Sequence, residues 1–255
     1  MKIKIRPGYV IENYVLEEMV GAGGFSTVYK ARSVNPEPLY STIIAVKVLH
    51  PRRLSRIQIR QFVKEAKIAK TLNHENIVKV YDVKRKDGNF FILMEYLDTD
   101  LLKAIRTKPY IFTPEKVNEI ILKVVRGLSF IHNHGIVHKD VTPSNILISF
   151  SFDKVKITDF GLAKRRGIFG MDRSKSGGTN GYIAPERLMG KKADIRSDIY
   201  SLGKTIEKIY NELKFEIPPK MKYIIDMATN PEPEKRFQNV ESILYFLEFG
   251  NSEQL

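Results

Sequence analysis

The sequence predicts an α+β protein in two parts: a small strand-rich first third with one main helix, then a larger helical remainder. Three observations carry this. Short runs of alternating apolar residues recur as far as Leu97. From about Asp98 the apolar spacing changes to three and four residues, the period of a helix face. No internal repeat, low-complexity tract or Gly/Ser linker interrupts the 255 residues. The expectation is therefore one domain over 1–255, with a small part to about 97 and a large part from about 98.

The elements follow in order. Val15 to Val20 reads as a strand, and a glycine cluster separates it from the alternating Thr27-Val28-Tyr29-Lys30-Ala31. Asn35-Pro36-Glu37-Pro38 marks a turn, and Ser41 to Leu49 is β-branched and strand-like. Ile57 to Leu72 places Ile59, Phe62, Val63, Ala66, Ile68, Ala69 and Leu72 near helical spacing. Two more strands, Ile77 to Val83 and Phe90 to Met94, flank a Lys86-Asp87-Gly88-Asn89 turn. Thr113-Pro114 opens a long helix as N-cap and first-turn proline, and His134-Gly135 closes it. Further helices are predicted at about 196–210, 218–229 and 239–249.

Composition narrows the function. With no cysteine, disulfides, thiol catalysis and Cys-ligated zinc are excluded. No apolar run approaches the ~18 residues of a membrane span, and Met1 to Gly8 lacks the apolar core of a signal peptide. A cytoplasmic location is the expectation. The net charge of +13 fits either a lysine-rich solvated surface or attraction to acidic partners, and no nucleic-acid motif accompanies it.

The residues that carry chemistry lie in the second part. Asp140 and Asn145 stand five apart in His138-Lys139-Asp140-Val141-Thr142-Pro143-Ser144-Asn145, and Asp159 follows fourteen residues later, past a hairpin-like apolar segment. Three oxygen-bearing side chains in such loops suit one that accepts a hydroxyl proton and two that hold Mg²⁺ against phosphates. With Asp159-Phe160-Gly161 and Ala184-Pro185-Glu186, they resemble the signature of eukaryotic-type serine/threonine protein kinases.

Upstream residues extend the resemblance over about residues 9 to 249. Val20-Gly21-Ala22-Gly23-Gly24-Phe25-Ser26-Thr27-Val28 is similar to the family's glycine-rich phosphate loop, with Ser26 where the third glycine stands. Ala45-Val46-Lys47-Val48 resembles the strand whose lysine meets ATP phosphates and an acid on the next helix. Glu65 sits at that acid's place, and Glu75 belongs to the loop after the helix. Met94 falls at the gatekeeper, Glu95 and Leu97 at the adenine edge, and Val28, Ala45 and Leu147 around the adenine. Asp100 either meets the ribose or caps a helix.

The resemblance implies a bilobal protein-kinase fold, with an antiparallel-sheet N-lobe and a helical C-lobe. It implies ATP and Mg²⁺ (or Mn²⁺) as cofactors, and Ser/Thr of proteins, the enzyme itself included, as acceptors. Asp140, Lys47 and Glu65 take the catalytic places, and Asn145 and Asp159 the metal places. His138 and Phe160 are structural by the same resemblance, Asp198 anchors the loop, Arg236 pairs with Glu186, and Thr179 contacts Asp140. Two departures stand out. Lys139 replaces the family's arginine, and Thr142 replaces the lysine that touches the transferring phosphate. They leave a pseudokinase-like ATP-binding scaffold with weak or no transfer activity as the alternative. Ser174 and Ser176, among Arg166, Arg173 and Lys175, are the expected phosphorylation sites. The stretch around 208–217 is short for the family, and Ser144 just before Asn145, with the +13 charge, implies acidic substrate sequences.

Overall fold

A computed structural model describes residues 5–23, 26–49, 55–160, 164–165 and 178–250, without the side chains of Ile57, Gln58, Gln61, Lys64, Glu65, Lys164 and Arg165. These residues form two compact units. The first takes those up to Asn73 together with Val78–Leu97, and the second takes His74–Ile77 and those from Asp98 onward.

In the first unit, β1 (Val10–Ile11), β2 (Tyr14–Ala22), β3 (Ser26–Ser33), β4 (Ile43–Leu49), β5 (Val80–Lys86) and β6 (Asn89–Glu95) form one sheet in the order β1-β2-β3-β4-β6-β5. Every pairing in it is antiparallel. The alternation seen in the sequence becomes a division of faces. Tyr29, Ala31, Ile44, Val46, Val48 and Leu93 point into one core cluster with Tyr14 and Phe91. Each Val, Leu or Ile side chain so buried contributes about 1.5–3 kcal/mol. Helix α1 (Arg56–Lys70) packs beside β5. The Tyr14 hydroxyl donates to the Ser41 carbonyl at 2.9 Å, which secures the loop between β3 and β4.

The predicted strand from Ile77 to Val83 is cut by tertiary contacts. Pairing with β6 begins only at Val80. Asn76 and Ile77 instead join the second unit, where the Asn76 carbonyl accepts from the Ile157 amide at 2.9 Å and Asn76 Nδ2 donates to the Val155 carbonyl at 3.1 Å. Gly127 makes this approach possible, since a Cβ there would lie 2.7 Å from the Asn76 carbonyl oxygen.

The second unit is built around α3 (Pro114–Asn133), capped at its start by the Thr113 hydroxyl accepting from the Lys116 amide. Val117, Ile120, Ile121, Val124, Leu128 and Ile131 form its buried stripe. Before it lie β7 (Thr99–Asp100) and α2 (Leu101–Thr107), a helix the sequence reading did not separate. After it come β8 (Ile136–Val137), β9 (Ile146–Ile148), β10 (Val155–Ile157) and β11 (Lys164–Arg165). Strands β9 and β10 form the expected hairpin, β7 adds to it, and β11 pairs with β8.

Four helices complete the unit: α4 (Pro185–Leu188), α5 (Ile195–Leu213), α6 (Pro219–Ala228) and α7 (Val240–Phe249). Helix α5 runs past the predicted end near 210, to Lys214 in the left-handed conformation. Only Lys214–Pro218 then separates α5 from α6.

Candidate active site

The sheet face turned away from the first unit's core is built by register. Val28 pairs with Lys47 and Lys47 with Ile92, while Ala45 pairs with Lys30 and Met94. Directly paired residues share a face, so Val28, Ala45, Lys47, Ile92 and Met94 lie together. Lys30, paired with Ala45, and Lys47 add two half-buried lysines to this otherwise apolar patch. Lys47 Nζ sits 5.9 Å from the centre of the Phe62 ring on α1. The side chain of Glu65 lies outside the described residues, and with it the expected Lys47–Glu65 pair.

At the start of that face, Gly21 pairs with Val28 and Ala22 with Thr27, next to a shift of register in β2. The Gly23 amide donates to the Ser26 carbonyl at 2.8 Å and closes the turn. Gly24 and Phe25 lie outside the described residues, and Val20 is 37% exposed beside the loop. At the other end the Glu95 amide donates to the Lys79 carbonyl at 2.9 Å, and Leu97 is buried.

In the second unit, Asp100 is the N-cap of α2, its Oδ1 accepting from the Lys103 amide at 2.8 Å, and Leu147 is half-buried in β9. The loop 138–145 follows β8, and its shape is imposed from α5. Asp198, fully buried in the first turn of α5, accepts from the His138 amide at 2.7 Å through Oδ2 and the Lys139 amide at 2.7 Å through Oδ1. His132 Nε2 lies 2.9 Å from Oδ2 as well. Burial pushes the Asp198 carboxyl up, but the His132 hydrogen bond, the neighbouring histidines and the His138 amide outweigh it and hold the group below the usual carboxylate range. Lys139 is thereby fixed at φ 72°, a conformation uncommon outside glycine.

His138 is fully buried, edge-on to Phe160 at 5.1 Å between ring centroids. Its Nδ1 accepts from the Asp140 amide at 3.3 Å, and its Nε2 lies 3.1 Å from the Thr158 carbonyl. Both ring nitrogens are engaged within the fold. Asp140 is held at both carboxylate oxygens. Its Oδ1 accepts from the Thr179 amide and hydroxyl, each at 2.9 Å, and its Oδ2 from Asn145 Nδ2 at 2.8 Å. A carboxylate offers about four lone-pair positions. With three filled, Asp140 is oriented and retains capacity for a hydroxyl hydrogen.

Asn145 and the segment entering Asp159 are tied together, because the Thr158 amide donates to the Asn145 carbonyl at 2.9 Å. Asp159 itself is half-buried at φ 62°. An amide oxygen and a carboxylate are the hard oxygen ligands that Mg²⁺ takes alongside water and phosphate. Among the described residues no group of three or more His, Cys, Asp or Glu side chains could hold an ion unaided. Thr142 is 2% exposed, and its hydroxyl oxygen finds no partner among the described residues.

The segment 178–189 closes the arrangement. Glu186 takes two hydrogen bonds from Arg236, at 3.0 and 2.8 Å, and one from the Ser197 hydroxyl at 2.8 Å. Burial raises the Glu186 carboxyl, and the Arg236 and Ser197 hydrogen bonds more than reverse it, so its pKa lies below the ordinary value. Ser201 donates to the Tyr182 carbonyl at 2.8 Å, and Arg187 Nη1 to the Lys139 carbonyl at 2.8 Å. Sequence reasoning placed Asp198, Glu186, Arg236 and Thr179 here. It missed His132, Arg187, Ser197 and Ser201, whose partners lie many residues away and leave no local pattern. Ser174 and Ser176 lie outside the described residues.

Comparison with known proteins bears on this geometry. Residues 14–241 match the family described as the protein kinase domain. A relative from Clostridium acetobutylicum named a probable serine/threonine-protein kinase is 32% identical over 93% of this chain and 40% of its own length. Serine/threonine-protein kinase PknB of Mycolicibacterium smegmatis is 37% identical over 80% of this chain and 33% of its own. Its Mycobacterium tuberculosis counterpart is 36% identical over 77% of this chain and 32% of its own. The chain thus spans about a third to two fifths of the length of these relatives.

Proposed function

This chain belongs to the protein kinase family, and on that footing we propose that it transfers the terminal phosphoryl group of ATP to serine or threonine of proteins, itself included. The observation that carries the proposal is the Asp140 carboxylate, fixed by Thr179 and Asn145 with acceptor capacity to spare. Asp140 orients the acceptor hydroxyl and takes its proton as the oxygen attacks the phosphorus and the bond to the departing ADP breaks. Asn145 and Asp159 would hold Mg²⁺, which would offset the charge on the transferring group. Lys47 meets the phosphates, and Glu65 is the acid assigned to it by the resemblance. Val20, Val28, Ala45 and Leu147 take the adenine, the Glu95 carbonyl and Leu97 backbone its edge, and Asp100 the ribose.

The support is chemical. Val28, Ala45 and Met94 form an apolar face for a base, next to a cation for its phosphates. Asn145 and Asp159 match the donors Mg²⁺ prefers. Dependence on ATP fits a cytoplasmic location, and the whole of 1–255 acts as one catalytic domain. Among the described residues no helix is long and apolar enough to cross a membrane. The exposed Ser144 and the +13 charge favour acidic sequences around the acceptor.

The test incubates the purified chain with labelled ATP and Mg²⁺, offering a casein-like acidic protein and an Arg-rich peptide. Lys47→Ala and Asp159→Ala should each lower transfer by at least about 100-fold while circular dichroism stays native. The acidic acceptor should be favoured, and less so as salt rises. Undiminished transfer by either variant would overturn the site assignment, and a salt-independent preference for the Arg-rich peptide would overturn the substrate reading.

A further inference from the structure

We propose that Arg187 is a positioning residue for Asp140, acting through the peptide group that joins Lys139 to it. The inference rests on the kinase reading for its consequence and on geometry for its content. The peptide plane between Lys139 and Asp140 is held at both edges. Its amide, on Asp140, donates to His138 Nδ1 at 3.3 Å, and its carbonyl, on Lys139, accepts from Arg187 Nη1 at 2.8 Å. The preceding plane is held separately, by the Lys139 amide donating to Asp198. Arg187 therefore supplies the hold on the carbonyl edge of the plane from which the Asp140 side chain departs.

Two features show that this contact has a cost that packing alone does not explain. Arg187 is 8% exposed. A buried guanidinium is expensive unless its hydrogen bonds are specific, and an apolar side chain would fill the space more cheaply. Lys139 also occupies a left-handed conformation, which persists in a non-glycine residue only where surrounding contacts over-determine it.

The approach is shaped from the same segment. Gly178, at φ +139°, passes the Lys139 carbonyl so closely that a Cβ would stand 3.4 Å from that oxygen and 3.1 Å from Ile183. Thr179, the next residue, places its two hydrogen bonds on Asp140 Oδ1. One stretch of chain thus grips both the Asp140 carboxylate and the backbone that aims it. Arg187 is anchored in turn through its neighbour Glu186, which Ser197 and Arg236 hold.

The expected signature is a loss of turnover with substrate binding retained, because a misaimed base slows chemistry without removing a ligand contact. The test compares wild type, Arg187→Lys and Arg187→Met in steady-state transfer from ATP, with amide exchange followed by mass spectrometry. Arg187→Met should lower kcat about 10- to 100-fold, with KM for ATP changed less than about threefold. Exchange should speed up in the peptide covering 136–142 while α5 keeps its protection. Arg187→Lys, which keeps one donor, should recover part of both. Wild-type kcat in folded Arg187→Met, or loss of protection throughout α5 in both variants, would overturn the inference. If wild type itself transferred nothing, the kinase reading would fail. Exchange over 136–142 would then still decide the role of Arg187, unchanged protection in Arg187→Met refuting it.

Discussion

The sheet face that carries Lys47 and the loop that carries Asp140 are secured by opposite means. Lys47 is placed by a ladder: β4 lies between β3 and β6, and each neighbour fixes its register over six or seven residue pairs. No single side chain decides that placement. Asp140 sits in a loop without regular pairing, held by Asn145 five residues on and by groups 39 to 60 residues away in sequence. The ladder distributes its support, whereas the loop concentrates it on Asp198, Thr179, Asn145 and Arg187. Concentration buys orientation at the expense of tolerance.

The largest expected effect is therefore at Asp198. Replacing it with alanine strands the buried amides of His138 and Lys139 and the ring of His132, a loss of about 3–5 kcal/mol of stability. Lys47→Ala, in a half-buried ladder position, should cost less than about 1 kcal/mol while removing activity. Urea unfolding of both variants checks this, and equal losses would erase the contrast.

Acid sharpens it. Asp198 and Glu186 both have folded pKa values below their unfolded ones. Their contribution is complete above the unfolded values near about 4 and disappears as pH falls through the lowered folded values. The urea midpoint should stay nearly flat from about pH 7 to 5 and drop below about pH 4. Stability that rose on acidification through that window would contradict the assignment.

The same contrast explains what the sequence could disclose. The strands β3, β4 and β6 and the cap at Thr113 were legible because alternation, helical period and capping are local. Lys47, Asp140, Asn145 and Asp159 could be named as candidates because the resemblance fixes their spacing. The split of the predicted 77–83 strand was hidden, since only the bonds from Asn76 to Val155 and Ile157 reveal which unit claims that segment. His132 and Arg187 were hidden for the same reason. A histidine in an apolar helix and an arginine after Ala184-Pro185-Glu186 say nothing locally about a carboxylate or a carbonyl brought there by folding.

The smallest effect concerns Thr142, whose hydroxyl lies buried without a partner among the described residues. Thr142→Val removes that oxygen at nearly constant shape, so stability should hold or rise by up to about 1 kcal/mol, with kcat within about twofold. A loss of kcat beyond about tenfold would show that the hydroxyl serves the acceptor or the phosphate.

The most direct test of the central claim is label transfer from the terminal phosphate of ATP to a protein acceptor by wild type and by folded Asp140→Ala, followed by identification of the labelled amino acid. The account predicts phosphoserine or phosphothreonine with wild type, and a rate lower by about 100-fold or more with the variant. Equal label from both proteins, or label on neither serine nor threonine, would contradict it.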